Sequence, residues 1–416
     1  MNARLIRPRG RGFLLLDSHP AGCARTVTDM WDIAVPAPRG TPRRRQVALV
    51  IGSSAGYGMA AAVAGLRHHG IDGVGLCLEQ PPTDRRTATA GWYRTIAAAD
   101  LAHEAGGDFF FVNGDAFADA TKERVLDLIR DRFGGVDYLV YSVAAPRRTD
   151  PLTGRTHQSV IQPIGQAFET KTLDFGGAEP ALREIRIEPA TEQEIIDTIK
   201  VMGGEDWALW VDALVGRALA RPGFTTVALS YVGSHLTSPI YREGTIGAAK
   251  AHLEETALTL NDRLGAIGGR ALTAVNGGAV TQASTAIPGI SLYTCLLRGV
   301  LGEDMRSPLA QSIEMWDGLT GVQDLALDGE GRLRLDRWEL DPLVQERVTG
   351  RWDALTRETV GDLAATGWFR EETLRLYGFA VPGVDYTRPV ETDLPWPVTE
   401  RPRQESTMND PSPTGE

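Results

Sequence analysis

The stretch QVALVIGSSAGYGMAAAVAGLRHHG, residues 46–70, decides how the rest of the chain is read. An unbroken apolar run of strand length, VALVI, leads into a glycine turn and then into an alanine-rich segment of helical character. The glycines Gly52, Gly56 and Gly58 are spaced G-x3-G-x-G between that strand and that helix. Glycines in this position let a backbone approach a pyrophosphate, while the helix start supplies N–H donors and a favourable dipole. A tight turn without a ligand would use the same residues, so the surroundings carry the decision.

The alternation continues outward from there. GVGLCLEQ (73–80) is a second strand and GWYRTIAAADLAHEAG (91–106) a helix; DFFFVNGDAF (108–117) is a third strand with its loop. TKERVLDLIRDRFGG (121–135) is an amphipathic helix and VDYLVYSVAAP (136–146) a fourth strand. Strands alternating with helices imply an α/β, doubly wound parallel-sheet Rossmann fold. Residues 147–222 break the rhythm. They hold strand-like pieces (KTLDFG, REIRIEPA) and a helical run (TEQEIIDTIKVMGGEDWALWVDALVGRALA), and read as a substrate-side insertion. FTTVALSYVG (224–233) resumes as a fifth strand, residues 245–264 form a helix, and GRALTAVNGG (269–278) is a sixth strand. The expected organisation is an irregular N-terminal segment, 1–45, packed on the core; a dinucleotide-binding Rossmann domain, 46–283; a helical C-terminal cap on the substrate side, 284–400; and a disordered polar tail, 401–416.

Composition bounds the function. The chain has 416 residues, 42% hydrophobic and 23% charged, the balance of a soluble globular protein with a large core. A formal net charge of −11 argues against a nucleic-acid-binding face. Cys23, Cys77 and Cys295 are too scattered for a metal-ligand pattern and read as isolated thiols of a reducing cytosol. The apolar run near the N-terminus is only FLLL before Asp17, short of the ~7–15 residues of a signal peptide, and no segment approaches the ~18 apolar residues of a membrane span. The expectation is a cytoplasmic protein with no metal, no nucleic-acid partner and no membrane insertion.

In open α/β sheets ligands bind beyond the carboxyl ends of the strands, and the candidates collect there. Glu79 ends the second strand, where it can accept hydrogen bonds from ribose hydroxyls and repel a 2′-phosphate; this favours NADH over NADPH, although Arg85 and Arg86 are close by in sequence. Asp115 is placed for the adenine edge, and the small residues after the fourth strand leave room for a cofactor. Tyr231 ends the fifth strand. Tyr241 and Lys250 would lie on opposite faces of one continuous helix. Pro239 and Gly244 instead put the tyrosine in a loop before a helix that opens near Thr245, and there the pair can converge. A phenol, with a pKa of ~10, can donate to a developing oxyanion; a nearby ammonium would lower that pKa and hold ribose hydroxyls. Only four of the 43 basic residues are lysine, which suggests that lysine is kept where its shape or pKa matters. His68 and His69 read as exposed at a helix end, His19 and His235 as packing residues, and WELD (338–341) as part of the cap.

These residues, in this order, resemble the FabV-type enoyl-acyl-carrier-protein reductases and the related trans-2-enoyl-CoA reductases, an enlarged branch of the short-chain dehydrogenase/reductase superfamily. The likeness rests on HPAGC, VIGSSAGYG, TAGWY, NGDAF, VDYLVYSVAAP, EPATEQEI, VMGGEDW, VTQASTAIP, RLDRWEL, GVDY and the spacing Tyr-x8-Lys. The resemblance implies NADH-dependent reduction of the 2,3-double bond of a trans-2-enoyl thioester, carried by CoA or by acyl carrier protein, in a monomer. It implies that Gly52, Ser53, Ser54, Ala55, Gly56 and Tyr57 hold the pyrophosphate region. Leu78, Glu79, Asp115, Ala116, Val143 and Ala144 would contact the adenosine and nicotinamide halves, and Lys250, Ala279, Val280 and Thr281 would complete the cofactor site. Tyr231 would bind substrate and Tyr241 would donate the proton. YREG after the tyrosine and AIPGISLY near the acyl pocket depart from the family pattern, which leaves acyl length and carrier open. An NAD(P)H-dependent carbonyl reductase of the 3-ketoacyl type would need the same tyrosine. A non-catalytic NAD(H) sensor predicts loss of Tyr241 or Lys250, and both are present.

Overall fold

The computed structural model describes residues 3–12, 14–37, 44–177 and 180–397. The expected tail, 401–416, lies outside them. Seven parallel strands form the central sheet: β1 (Val47–Ile51), β2 (Asp72–Cys77), β3 (Phe109–Asn113), β4 (Val136–Tyr141), β5 (Ala220–Ser230), β6 (Arg270–Val275) and β7 (Leu333–Arg334), in the order β7-β6-β5-β4-β1-β2-β3. Strand order reverses between β1 and β4, which opens a crevice at their carboxyl ends.

All of β1 is buried because helices cover both faces of the sheet. Its period-2 pleat sends Ala48 and Val50 to one core and Val47, Leu49 and Ile51 to the other. The first core is closed by α1 (Pro20–Ile33), α2 (Gly56–Val63) and α3 (Ala90–Glu104). The second is closed by α4 (Asp119–Phe133), α6 (Glu205–Gly216) and α7 (Thr245–Leu264), with α5 (Glu192–Met202) packed on α7. The run TEQEIIDTIKVMGGEDWALWVDALVGRALA is thus two helices. It opens with a capping box between Thr191 and Glu194 and divides at Gly203–Gly204. The strand-like pieces before it are an antiparallel hairpin, Phe168–Asp174 with Ala181–Ile187. α8 (Ile290–Leu301) packs against that hairpin and against α10 (Pro342–Asp353).

Three expectations are corrected. The segment 1–45 is not irregular: α1 starts at Pro20 with His19 Nδ1 accepting from the Gly22 amide at 3.2 Å, and its Val27 and Trp31 enter the first core. Proline suits a first helical position because its missing N–H would have no partner there. Nor is 284–400 simply a cap. α9 (Pro308–Leu319) lies against α2 on the sheet face, and β7 extends the sheet itself. The buried Trp316 carries that packing, with Nε1 donating to Ala61 O at 2.8 Å and its ring edge-on to Tyr138. Finally, His69 is buried rather than exposed. Its Nε2 lies 3.1 Å and that of half-buried His68 3.6 Å from Asp317 Oδ1, so the end of the π-helical turn that continues α2, Ala64–His68, is tied to α9. These three donor-type side chains, within 4.8 Å of one another, sit at the opposite end of the strands from the glycine turn. His19 and the exposed His235 make local contacts, His235 to Thr349 Oγ1 at 3.3 Å. The three cysteines are buried and unpaired, and among the described residues no helix is long and apolar enough to cross a membrane.

Candidate active site

The first six strands each deliver candidates at their carboxyl ends. Gly52 follows β1 with φ of +87°, and a Cβ on it would lie 2.2 Å from Ser142 O at the end of β4. Only glycine fits that close approach. Ser53 and Ser54 are buried beneath the turn, Ala55 precedes the first helical residue, and α2 starts at Gly56 with Tyr57. Ser54 Oγ donates to Glu79 Oε1 at 2.6 Å and Thr89 Oγ1 donates to the other carboxylate oxygen. Gly91 lies directly beneath that carboxylate; a Cβ there would come within 2.1 Å of Oε1. Glu79 is therefore held between the glycine turn and the start of α3. Leu78 beside it is exposed, as are Arg85 and Arg86 on the following loop.

After β3, Asp115 Oδ1 accepts from the Phe117 amide at 3.0 Å, and Ala116 O accepts from Lys122 Nζ at 2.9 Å and Trp210 Nε1 at 3.1 Å. After β4, Val143 is half-buried and Ala144 exposed. After β6, Ser284 ties the 279–281 loop, accepting from the Thr281 amide and donating to Ala279 O, each at 2.8 Å. The Thr281 methyl faces Gly56. The sequence candidates for the cofactor thus converge on one crevice.

Tyr231 follows β5. Tyr241 ends a short 3-10 turn, His235–Ile240, and Lys250 lies on α7, so the tyrosine does precede the helix. The two phenol rings meet edge to face, 4.8 Å between centroids. Lys250 Nζ donates to Leu229 O at 3.1 Å, at the end of β5. Burial pushes the Lys250 ammonium down to about 8, with Glu254 opposing. Tyr241 departs from expectation: burial first, and the Glu339 carboxylate second, push its hydroxyl up rather than down. A buried phenol near a carboxylate stays protonated, which suits a proton donor.

Glu339 was not among the sequence candidates. WELD does not merely pack a cap. The Glu339 side chain is fully buried; its Oε1 accepts from Tyr231 OH at 2.8 Å and from Tyr293 OH at 2.7 Å, and its Oε2 accepts from the Gly278 amide. Burial pushes its carboxyl up to about 7, against the pull of the Tyr293, Gly278 and Tyr231 hydrogen bonds. Burial and Glu339 push both tyrosines up in turn. Tyr57 OH donates to Gly277 O on the same loop. The period-2 alternation of RLRLD (332–336), with Leu333 and Leu335 buried, is the signal that could have revealed β7 and brought the next acid to the sheet. Ile240, Ile287 and Ile290 form an apolar cluster against which Tyr241, Ile161, Phe168 and Ile187 pack.

A glycine cradle at a sheet crevice, an acid at the second strand and a buried tyrosine–lysine pair beyond the fifth define a Rossmann-type dinucleotide-dependent oxidoreductase. Comparison with known proteins narrows that class. Residues 86–319 match the family model described as the trans-2-enoyl-CoA reductase catalytic region; residues 5–84 match the NAD(P)H binding domain of trans-2-enoyl-CoA reductase, and 327–390 the enoyl reductase FAD binding domain. An enoyl-acyl-carrier-protein reductase (NADH) of Streptomyces avermitilis is 59% identical over 393 residues, 94% of this chain and 100% of that protein. One from Burkholderia pseudomallei is 45% identical over 94% of this chain and 98% of its own length. The crystal structure of Clostridium acetobutulicum trans-2-enoyl-CoA reductase in complex with NADH superposes with a TM-score of 0.87 at 34% identity, covering 94% of this chain and 98% of that one. The chain belongs to the trans-2-enoyl-CoA reductase family.

Proposed function

We propose that this protein reduces the 2,3-double bond of trans-2-enoyl thioesters with NADH, giving the saturated acyl thioester. The observation that carries the reading is a buried tyrosine, Tyr241, packed on Tyr231 and on an apolar cluster, in the fold whose glycine turn is shaped for a dinucleotide. The cradle fits NADH. Gly52 and Gly91 stand where side chains would collide with Ser142 O and with Glu79, and Glu79 offers ribose hydroxyls two acceptors while repelling a 2′-phosphate. Gly52 to Tyr57 would hold the pyrophosphate. Leu78, Glu79, Asp115 and Ala116 would contact the adenosine, and Val143, Ala144, Ala279, Val280 and Thr281 the nicotinamide half. Lys250 would bind ribose hydroxyls. When bound, NADH supplies a hydride to Cβ of the enoyl group. Negative charge then develops on the thioester oxygen, where donors arranged beforehand stabilise it more in the transition state than in the ground state. Tyr231 would bind that oxygen, and Tyr241 would furnish the proton that ends at Cα.

The segment matched to an FAD-named family spends its buried groups elsewhere. Leu333 and Leu335 join the sheet, Val348 packs on α8, and Glu339 serves the tyrosines. The name of the Streptomyces relative supports acyl carrier protein as the carrier, with CoA the alternative. Action as a monomer in the cytoplasm belongs to the same proposal.

NADH consumption with crotonyl-CoA, a longer trans-2-enoyl-CoA and acetoacetyl-CoA tests the reading. Enoyl reduction should fall about 100-fold or more in Tyr241→Phe, with little change in NADH affinity. Reduction of the ketone alone would transfer the protein to the carbonyl reductases.

A further inference from the structure

Glu339 holds an unusual place. It reaches the substrate side from the C-terminal segment, accepts from two phenols through one oxygen, and touches the loop just before residues 279–281. Trp338 beside it packs so tightly on Gly277 that a Cβ there would lie 2.4 Å from the indole. The carboxyl group is therefore fixed relative to both the cofactor loop and Tyr231. The groups acting on it are Tyr57 at the start of α2, Tyr231 after β5, Tyr241 before α7, Tyr293 on α8, and Asp336 of its own segment, which pairs with Arg334 at 2.7 Å.

Hydrogen-bond accounting gives this contact a direction. While Glu339 is ionised it can only accept, so the hydroxyl protons of Tyr231 and Tyr293 are both committed to Oε1. Tyr231 then turns a lone pair, not a proton, toward anything beyond it. Tyr293 already accepts from Gln345 Nε2 at 3.1 Å, which favours its proton staying on Glu339. Gln345 is itself held by Ser234 Oγ at 2.6 Å and by Glu339 O at 2.8 Å. If Oε1 takes up one proton from water, the Tyr231 oxygen is the phenol acceptor that no Gln345 donor already occupies. The Tyr231 proton is then released.

We propose that Glu339 is a positioning residue that sets the hydrogen-bond polarity of Tyr231, withholding the phenol proton as a carboxylate and releasing it toward the thioester oxygen as a carboxylic acid. The inference rests on Tyr231 binding that oxygen. No electrons move and one proton is taken up. A stabilising donor at the oxyanion is present only in the protonated form, and mutational losses of such a donor run to about 100-fold or more in rate. The elevated position of the Glu339 carboxyl, about 7, puts the change within reach of ordinary assays.

The test is the pH dependence of kcat and of kcat/KM for enoyl-thioester reduction between about pH 5.5 and about pH 9, for the full chain and for Glu339→Gln and Tyr231→Phe. The native enzyme should lose about tenfold in kcat per pH unit above a break near 7. Glu339→Gln mimics the acid form, since its amide always donates to Tyr231; it should keep the low-pH rate and lack the break. Tyr231→Phe should be slow at every pH and also lack it. A break near 7, below the one Lys250 would give near 8, that persists in folded Glu339→Gln or in Tyr231→Phe would overturn the proposal. Infrared difference spectra across the same pH range, on native protein and Tyr231→Phe, need neither substrate nor the glutamine variant. A buried carboxylic-acid C=O band should disappear near pH 7 in the native protein and shift in Tyr231→Phe; no such band would also overturn it. If the band titrates as expected but no enoyl thioester is reduced at any pH, the proposed activity fails rather than the Glu339–Tyr231 linkage.

Discussion

Lys250 shows how a single residue proposed to hold the cofactor can cost stability. Its folded value of about 8 lies below the ordinary 10.5, so between those values the unfolded chain binds more protons than the folded one. Its contribution to stability is therefore full above about 10.5 and is lost as pH falls through about 8. Lys250→Met should accordingly raise stability at pH 7 by about 2 kcal/mol, after allowing for the lost bond to Leu229 O, and the gain should vanish toward pH 10.5. Urea unfolding curves at the two pH values measure it, and NADH titration of the same variant should show weakened binding. On the proposed reading, Glu79 governs the choice of cofactor by charge. Removing its negative charge in Glu79→Gln should raise kcat/KM with NADPH relative to NADH by about tenfold, which corresponds to about 1.4 kcal/mol. An unchanged ratio would mean that Glu79 does not face the 2′ position.

Among the elements, α9 is the one whose place changes the picture most. Its Trp316 is fully buried against Tyr138, Gly65 and Ala61 O, joining the chain after the substrate side to the first half of the sheet. Trp316→Ala should cost about 3–5 kcal/mol in denaturant unfolding, because both the indole area and its hydrogen bond are lost. On the opposite face, Lys122 Nζ bonds Asp206 Oδ1 at 2.8 Å and Tyr141 OH bonds Oδ2 at 3.0 Å, linking α4, α6 and β4. Burial already pushes the Asp206 carboxyl up against the pull of Lys122. Lys122→Met leaves that acid without its cation and should cost about 3–5 kcal/mol; adding Asp206→Asn should recover part of the loss. Lys122 is one of the four lysines and has a structural role, so rarity alone does not mark a site.

For the whole molecule, the parallel sheet gathers candidates from distant parts of the chain at one end. The C-terminal segment closes the far side through β7, Glu339 and Gln345. With the crevice furnished from one chain, light scattering on the eluting protein should give the monomer mass of 45.0 kDa; twice that value would refute the monomer. Much of this architecture could be read beforehand. Fully apolar runs, each followed by a helical pattern, identify a covered parallel sheet without any contact being known. The glycine turn, Glu79 and the Tyr-x8-Lys spacing are local in sequence and kept their places. The position of α9 was not legible, and the two-residue β7 left only the short alternation of RLRLD as its signal. A short edge strand has little periodicity, and an amphipathic helix does not say which face of a sheet it covers.

The sequence by itself determined the fold class, the cradle and the tyrosine that precedes its lysine helix, because backbone geometry and residue type specify those over a few adjacent positions. Tertiary structure decided what surrounds them. Burial and a carboxylate 98 residues from Tyr241 keep that phenol protonated, and the same Glu339 accepts hydrogen bonds from Tyr231 and Tyr293. Desolvation and pairing between segments far apart in the chain depend on distance in space, which spacing along the chain does not contain.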